Sequence, residues 1–204
     1  MLYILYMLFK KGVHRADLNI LFVKRYCHVQ VSTERTQASG WAWDQEDSRL
    51  YKLSKKTGKM TKLDTHRPPE MMVDVPGEKW RFVEAEAWQI GLYGPGGHYL
   101  PHFDAFDILD PQSAGPEGIW VGNRVATVMF YLSDLVGGAT AFPKLGVAAT
   151  PSKGAAVFWN NMGRDGTRDS RTLHGACPVV KGIKWVSNKW IREGAQIWTW
   201  PCQE

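Results

Sequence analysis

The sequence predicts a mainly β (α+β) fold, and its second part is typical of a double-sheet jelly roll. From about residue 81, short apolar runs alternate with Gly, Pro, Asn and Asp, which is the pattern of many short strands joined by turns. Strand-like runs cover residues 85–93, 98–106, 124–132 and 155–159. With 204 residues and 44% apolar content, the chain can bury one substantial core. We therefore expect two packed sheets in one catalytic-sized unit.

The individual strands carry different patterns. Trp88, Ile90 and Leu92 share one face by period two, and a Gly-Pro-Gly-Gly run then ends that strand. Residues 124–132 are apolar on both faces, as expected of a central strand. The segment "TLHGACPVVKGIKWVSNKWI" predicts two strands that form a hairpin with a two-residue turn at Lys181-Gly182.

Residues 1–80 form an atypical N-terminal segment, which we separate from a predicted domain over residues 81–204. Residues 16–26 fit a short amphipathic helix or a strand, and the charged stretch 44–69 reads as a linker or surface loop. The apolar opening of nine residues is well short of the roughly 20 that span a bilayer, so we expect no membrane partner. This region offers no recognisable chemistry.

Charge and cysteine content limit the function classes. The net charge is +5, but apart from residues 52–62 the basic residues are scattered, which is typical of a soluble surface and not of a nucleic-acid site. Cys177 and Cys202 lie in the well-patterned part and Cys27 does not, so one pair plus one remaining thiol is the simplest count. A disulfide would imply an oxidising compartment.

A candidate metal site lies in "GGHYLPHFDAF", residues 97–107. On an extended chain, His102 and Asp104 project from the same face, and His174 is the best third ligand. Two histidines and one carboxylate leave three coordination positions open, which suits non-haem Fe(II) chemistry with O₂. Each part alone is weak evidence, because a single His-x-Asp arises by chance and a lone histidine is more often a hydrogen-bonded core residue.

Lys184 adds context to these ligands. By strand alternation it shares a face with Val186, Asn188 and Trp190, so its ammonium group would lie among large neighbours. A lysine in such a place needs an anionic partner, and a dicarboxylate co-substrate that chelates the iron would supply one. The alternative is an outward-facing, solvated lysine.

From about residue 84 to its end the sequence resembles the catalytic domain of the prolyl 4-hydroxylases, most closely the α subunits of the animal collagen enzymes. The matching stretches, in order, are "YGPGGHYLPHFD", "GNRVATVMFYLSDLVGGATAFP", "KGAAVFWNN", "TLHGACPVVKGIKWVSNKWIRE" and the terminal "PC". The resemblance implies a double-stranded β-helix (jelly roll) with flanking helices in the N-terminal part. It also implies Fe(II)- and 2-oxoglutarate-dependent hydroxylation of peptidyl proline to 4-hydroxyproline in collagen-like X-Pro-Gly sequences.

The resemblance also implies residue roles. It gives His102, Asp104 and His174 as the iron ligands. Lys184 would bind the distal carboxylate of 2-oxoglutarate, assisted by Tyr93 and Thr127. The remaining implied roles are a position near the active site for Trp190, a position near the substrate proline for Tyr99, and a disulfide between Cys177 and Cys202.

Aromatic side chains suit a polyproline II peptide, and Tyr99, Trp120 and Trp159 are candidates for a groove that binds one. The alternative for each of these aromatic residues is packing in the core, which is the commoner case.

The implied cofactors are Fe(II), 2-oxoglutarate and O₂ as co-substrates, and L-ascorbate. The implied partners are a proline-rich or collagen-like peptide and protein disulfide isomerase as a β subunit, and the implied location is the lumen of the endoplasmic reticulum. The opening residues are not a clear signal peptide, and "PCQE" is not a retrieval signal.

Two other function classes remain open. The first is a non-catalytic protein that binds proline-rich peptides and is derived from the same fold, although such a protein has no need of three metal ligands. The second is a zinc or other metal hydrolase, for which the sequence offers no obvious general base and no role for Lys184.

Overall fold

The structure is a computed structural model that describes residues 5–8, 28–31, 34–66, 85–107 and 122–196. The strands of the described part are β1 Leu5–Leu8, β2 His28–Val31, β3 Thr36–Ala42, β4 Trp88–Tyr93, β5 Tyr99–His102, β6 Arg124–Tyr131, β7 Val136–Gly137, β8 Thr140–Phe142, β9 Val147–Ala149, β10 Ala155–Asn160, β11 His174–Ala176, β12 Val179–Lys181 and β13 Lys184–Arg192. Helix α1 is Ser48–Thr61, and 3₁₀ helices cover Asp44–Glu46 and Ser170–Thr172.

The strands form three antiparallel sheets. The large sheet has the order β1-β10-β6-β13-β4-β3-β2, the small sheet has the order β5-β11-β8-β9, and β12 pairs with β7. The predicted mainly-β fold is confirmed. Because neighbours in these sheets are distant in sequence, strands from both ends of the described chain meet in one layer.

The two faces of β6 bury different cores, as the sequence predicts for a central strand. Val128 and Phe130 lie in a hydrophobic cluster that includes Leu50 of α1. Met129 and Tyr131 point the other way, into a second cluster that the small sheet shares. The large sheet is therefore covered by the helix on one face and by the small sheet on the other, and the site described below lies on the second side.

The prediction of a loop over residues 44–69 is wrong, because α1 occupies most of it. Asp47 caps the helix by accepting a hydrogen bond from the backbone N–H of Arg49. The buried residues Leu50, Leu53, Ser54 and Thr57 follow helical spacing, and two of them are apolar. The helix confirms the flanking helix that the resemblance implies. Within the described part of the chain, no helix is long and apolar enough to cross a bilayer.

The large sheet crosses the predicted division at residues 80/81. Strand β3 pairs with β4 along its length, from Ala38 opposite Leu92 to Ala42 opposite Trp88. Strands from both sides of the division thus share hydrogen bonds, and the division itself stays a prediction. The segment 16–26, predicted as a helix or strand, lies outside the described residues.

The predicted hairpin at Lys181-Gly182 is also wrong. Strand β12 pairs with β7, whereas β13 lies between β4 and β6 in the large sheet. Because both edges of β13 are already paired, no edge remains for β12. The turn therefore carries the chain from one sheet to another and does not close a hairpin.

Candidate metal centre and active site

Two adjacent strands of the small sheet bring the predicted ligands together. His102 is the last residue of β5, His174 is the first residue of β11, and the two residues are register partners. Asp104 lies in a bend after β5. The extended segment predicted over residues 98–106 therefore ends at His102, and a turn of the chain, not strand alternation, places the carboxylate beside the imidazoles.

The potential ligand atoms of His102, Asp104 and His174 all lie within 4.8 Å of one another. His102 Nε2 is 3.7 Å from Asp104 Oδ1, and His174 Nε2 is 3.6 Å from Asp104 Oδ2. These distances are too long for hydrogen bonds and leave space between the three groups. Two imidazole nitrogens and one carboxylate oxygen form a donor set that suits Fe(II).

Backbone hydrogen bonds fix which nitrogen of each imidazole faces the centre. His102 Nδ1 is 2.9 Å from the carbonyl oxygen of Leu100, and His174 Nδ1 is 2.8 Å from that of Thr172. Since a carbonyl oxygen only accepts, each Nδ1 must carry the proton. In the neutral form of each ring, the lone pair that a metal ligand needs is therefore on Nε2.

The charge states also suit a metal centre. Burial, reinforced by the neighbouring His174, lowers the pKa of His102 to about 4, so its imidazole is neutral near pH 7. Burial alone would raise the pKa of Asp104, but the nearby His174 and His102 outweigh burial and hold that pKa below its ordinary value. The centre thus combines a neutral imidazole with an ionised carboxylate.

A short hydrogen-bond chain holds the carboxylate of Asp104. The Thr127 hydroxyl, on β6, donates to Asp104 Oδ2 at 2.7 Å, and Asn161 Nδ2 donates to Thr127 Oγ1 at 2.9 Å. All three side chains are buried. The hydroxyl proton of Thr127 is thus donated to the candidate carboxylate ligand. The resemblance predicts that Thr127 helps to hold 2-oxoglutarate, and this role stays a prediction.

The three candidate ligands open into a cavity of about 400 Å³ between the two sheets. As the strand alternation predicts, Lys184, Val186, Asn188 and Trp190 all line it. Lys184 is only 1% exposed, and its Nζ lies 5.4 Å and 5.7 Å from the ring centroids of Tyr93 and Tyr131.

Lys184 has no acidic partner in the part of the chain that the structure describes, and no hydrogen bond of its Nζ is formed there. Burial lowers the pKa of Lys184 to about 8, against a smaller opposite effect of Cys177. The alternative of a solvated lysine is wrong, because the side chain is enclosed. A buried ammonium group without a counter-ion favours an anionic ligand at this position.

Tyr93 lies beside Lys184, on β4. Its hydroxyl is 3.1 Å from Gln37 Oε1, and burial raises its pKa to about 12 despite the nearby Arg35. The phenol therefore stays protonated and can serve as a hydrogen-bond donor.

Aromatic and basic side chains also line the cavity. The Tyr99 ring stacks on His102 at 3.7 Å between centroids, and the Arg35 guanidinium lies 4.5 Å from the same ring. Trp41 is 38% exposed and its ring is 5.7 Å from that of Trp190. This wall therefore presents flat aromatic surfaces that are partly exposed to solvent, of the kind that extended peptides contact.

The remaining predicted site residues do not lie at the aromatic wall of the cavity or lie outside the described residues. Trp159 is 1% exposed and packs edge-on against Phe142, so it forms an inner wall of the cavity and not an outer groove. Trp120 lies outside the described residues. Cys177 is half-buried, and since its predicted partner Cys202 also lies outside the described residues, the disulfide stays a prediction.

Sequence reasoning missed the contribution of β3. Arg35 precedes this strand, Gln37 and Trp41 belong to it, and all three reach the cavity or its lining residues. The stretch "TQASGWA" is small and polar, so its strand signal is weak. Its alternating burial, with Gln37 and Ser39 buried, appears only once β4 lies beside it.

Comparison with known families and proteins agrees with this geometry. A family model described as the 2OG-Fe(II) oxygenase superfamily matches residues 88–192. Prolyl 4-hydroxylase subunit alpha-2 of Caenorhabditis elegans is 53% identical over 119 residues, which are 58% of this chain and 22% of that protein. Subunit alpha-2 of Gallus gallus is 38% identical over 175 residues, 85% of this chain and 29% of that protein. The chain spans less than a third of these relatives' length.

A solved structure is similar over nearly its whole length. The viral collagen prolyl hydroxylase of Paramecium Bursaria Chlorella virus-1, in its 2OG complex, has a TM-score of 0.68 and 25% identity, with 93% of this chain and 96% of that chain covered. A Pseudomonas putida prolyl-4-hydroxylase, at 15% identity and a TM-score of 0.57, shares the fold. From its site, its fold and the match over residues 88–192, this chain belongs to the 2OG-Fe(II) oxygenase superfamily.

Proposed function

We propose that the chain hydroxylates peptidyl proline to 4-hydroxyproline with Fe(II), 2-oxoglutarate and O₂, in collagen-like X-Pro-Gly sequences. One observation carries the proposal. The three candidate ligands and the buried, unpaired ammonium group of Lys184 line the same cavity. An iron site and an anion site in one cavity are what a 2-oxoglutarate-dependent oxygenase needs, whereas a metal hydrolase has no use for the second.

His102, Asp104 and His174 would hold the iron. Their fit rests on the two Nε2 lone pairs and the ionised carboxylate, which converge without hydrogen bonds among themselves. When bound, the iron supplies the redox chemistry with O₂ and 2-oxoglutarate. Three protein ligands on one side leave the remaining coordination positions for those two molecules.

Lys184 and Tyr93 would bind the distal carboxylate of 2-oxoglutarate. The ammonium group supplies charge and the phenol a neutral donor, and the pKa of about 12 keeps the phenol protonated. Burial of both groups excludes water from this end of the cavity and strengthens their attraction for an anion.

The peptide would bind at the aromatic wall. Tyr99, Trp41 and Trp190 present rings at or beside the cavity, and Tyr99 stacks directly on a candidate ligand. A polyproline II segment is already extended and packs well against such rings. The names of the relatives, collagen prolyl hydroxylase among them, support proline as the residue modified.

The remaining parts of the proposal rest on the resemblance alone. They are L-ascorbate as a reductant, a disulfide between Cys177 and Cys202, protein disulfide isomerase as a partner, and the lumen of the endoplasmic reticulum as the location.

The test is to incubate the protein with Fe(II), 2-oxoglutarate, O₂ and a Pro-Pro-Gly repeat peptide, and to measure succinate together with 4-hydroxyproline. We expect the two products in equal amounts with wild type and neither with Asp104→Ala. Peptide binding without either product would favour the non-catalytic binding protein. Zinc-supported cleavage of the peptide would favour the hydrolase.

A further inference from the structure

We propose that Gln37 is a positioning residue for 2-oxoglutarate: its side-chain amide donates to the Tyr93 hydroxyl and so directs the Tyr93 proton toward the carboxylate at Lys184. The inference rests on the proposed function, in which Tyr93 and Lys184 bind that carboxylate. It concerns a residue of β3 that no sequence motif indicates.

The starting observation is an unpaired donor. Gln37 is 3% exposed and its Oε1 lies 3.1 Å from the Tyr93 hydroxyl. Its Nε2 is buried and has no hydrogen-bond partner among the described residues. A buried amide N–H without a partner destabilises the fold, so this orientation of the amide is unfavourable.

Rotation of the amide by half a turn exchanges the two atoms. Nε2 then donates to the Tyr93 hydroxyl, and the buried donor gains a partner. The oxygen and nitrogen of a glutamine amide have nearly the same shape, so the exchange needs no other movement. The two orientations differ in one respect that matters for binding, which is whether the Tyr93 proton is held by Gln37 or is available to another acceptor.

The surroundings of Tyr93 favour an available proton. Burial raises the pKa of Tyr93, and the positive charge of the nearby Arg35 acts in the opposite direction. With Gln37 Nε2 donating to the hydroxyl oxygen, the hydroxyl proton is no longer held by Gln37 and can be donated to another acceptor. Lys184 Nζ lies 5.4 Å from the Tyr93 ring centroid, so an anion held by Lys184 is the neighbouring acceptor.

The backbone beside Gln37 is shaped for this contact. Gly91 lies on β4, two residues before Tyr93, and a Cβ placed there would collide with Gln37 Nε2. The missing side chain at Gly91 therefore leaves the space that the Gln37 amide fills. Gln37 is thus held against Tyr93 by the packing of two adjacent strands.

The experiment measures 2-oxoglutarate binding by calorimetry, with Mn²⁺ in place of iron so that no turnover occurs. The variants are Gln37→Met, Gln37→Glu, Tyr93→Phe and the double variant Gln37→Met/Tyr93→Phe. We expect Gln37→Met to weaken binding roughly 3- to 10-fold, the value of one hydrogen bond between neutral groups. Gln37→Glu should weaken it further, because a carboxylate only accepts and also repels the ligand. In the Tyr93→Phe background, Gln37→Met should have no further effect.

The control is Gln196→Met, which removes another buried amide, one that bonds to the Asp64 backbone and does not line the cavity. It should lower the melting temperature and leave 2-oxoglutarate affinity unchanged. The KM for the peptide should be unchanged in the Gln37 variants, since Gln37 does not line the cavity.

Equal losses from Gln37→Met with and without Tyr93 would overturn the inference, and so would an unchanged affinity in both backgrounds. If either Gln37 variant fails to fold, the other still gives the comparison. Lys184→Met separates the two claims: unchanged 2-oxoglutarate binding in that variant contradicts the proposed function itself, whatever Gln37 does.

Discussion

The Thr127 hydroxyl donates a 2.7 Å hydrogen bond to Asp104 Oδ2, and this contact joins the two sheets at the candidate metal centre. Asp104 follows β5 of the small sheet, and Thr127 belongs to β6 of the large sheet. The hydroxyl thus fixes the one candidate ligand that lies outside a strand.

Thr127→Val should therefore weaken metal binding. The substitution keeps the shape and removes the donor, and loss of such an outer hydrogen bond costs roughly 10- to 100-fold in metal affinity. The measurement is a competitive titration of Mn²⁺ or Fe(II) against a chelator. Thr57→Val is the matched control, since its buried hydroxyl donates to the Leu53 carbonyl within α1 and lies outside the cavity lining. Equal metal affinity in the two variants would contradict the role of Thr127.

Lys184→Met should abolish measurable 2-oxoglutarate binding and raise the melting temperature at neutral pH. A lysine whose folded-state pKa is about 8, below the ordinary 10.5, penalises the folded state. This loss of folding stability is fully present below pH 8 and vanishes above about pH 10.5. Replacing the lysine therefore stabilises the folded protein only at the lower pH values. Differential scanning calorimetry at neutral pH and above about pH 10.5 measures the change in melting temperature and so checks its sign.

Lys189→Met is the contrasting variant. Lys189 is also buried, but its Nζ lies 3.1 Å from Asp44 Oδ1. Its removal leaves Asp44 without that partner, so the melting temperature should fall while 2-oxoglutarate affinity is kept. If the melting temperature changed in the same direction in both lysine variants, the ion pair with Asp44 would not explain the difference between the two lysines.

The affinity for 2-oxoglutarate should fall as the pH rises through about 8. Lys184 loses its proton there because of burial, and the groups that face it supply no positive charge: Tyr93 and Tyr131 are phenols on β4 and β6, and Cys177 carries a sulfur atom. The dissociation constant should rise up to about tenfold per pH unit above that point. Lys184→Arg is the control, because a guanidinium stays charged over this range. Parallel pH profiles of wild type and this variant would exclude Lys184 as the titrating group.

Trp41→Ala should raise the KM for a proline-repeat peptide. Its ring lines the cavity and lies 5.7 Å from Trp190, so its loss removes one aromatic contact, worth roughly 3- to 10-fold. Trp43→Ala is the matched control: Trp43 is 48% exposed but does not line the cavity. The KM for 2-oxoglutarate should be the same in both. A peptide KM that changes equally in the two variants would place the peptide elsewhere.

The sequence predicted the strands that carry the site, because their apolar periodicity is strong. Strands β4, β6 and β10 lie where the runs of apolar residues indicate, and Lys184 shares its face with Trp190 as alternation requires. The hairpin prediction failed because the residues of the turn at Lys181-Gly182 carry no information about strand pairing elsewhere in the chain. Both edges of β13 are paired with other strands, β4 and β6.

Helix α1 was missed for a different reason. Its buried face contains Ser54 and Thr57 beside two leucines, so its apolar signal is weak among many lysines. The contribution of Gln37 depends on β3 lying against β4, a pairing between residues distant in sequence. Such contacts depend on tertiary structure, and periodicity along one segment cannot reveal them.

The central claim is that His102, Asp104 and His174 bind one ferrous ion that 2-oxoglutarate then joins. The most direct measurement is an anaerobic Fe(II) titration of the wild type, His174→Ala and Asp104→Ala, each with and without 2-oxoglutarate. The account predicts one equivalent of tightly bound iron in the wild type, tighter still with 2-oxoglutarate, and a large loss of affinity in both variants. Wild-type iron affinity in either variant would contradict it.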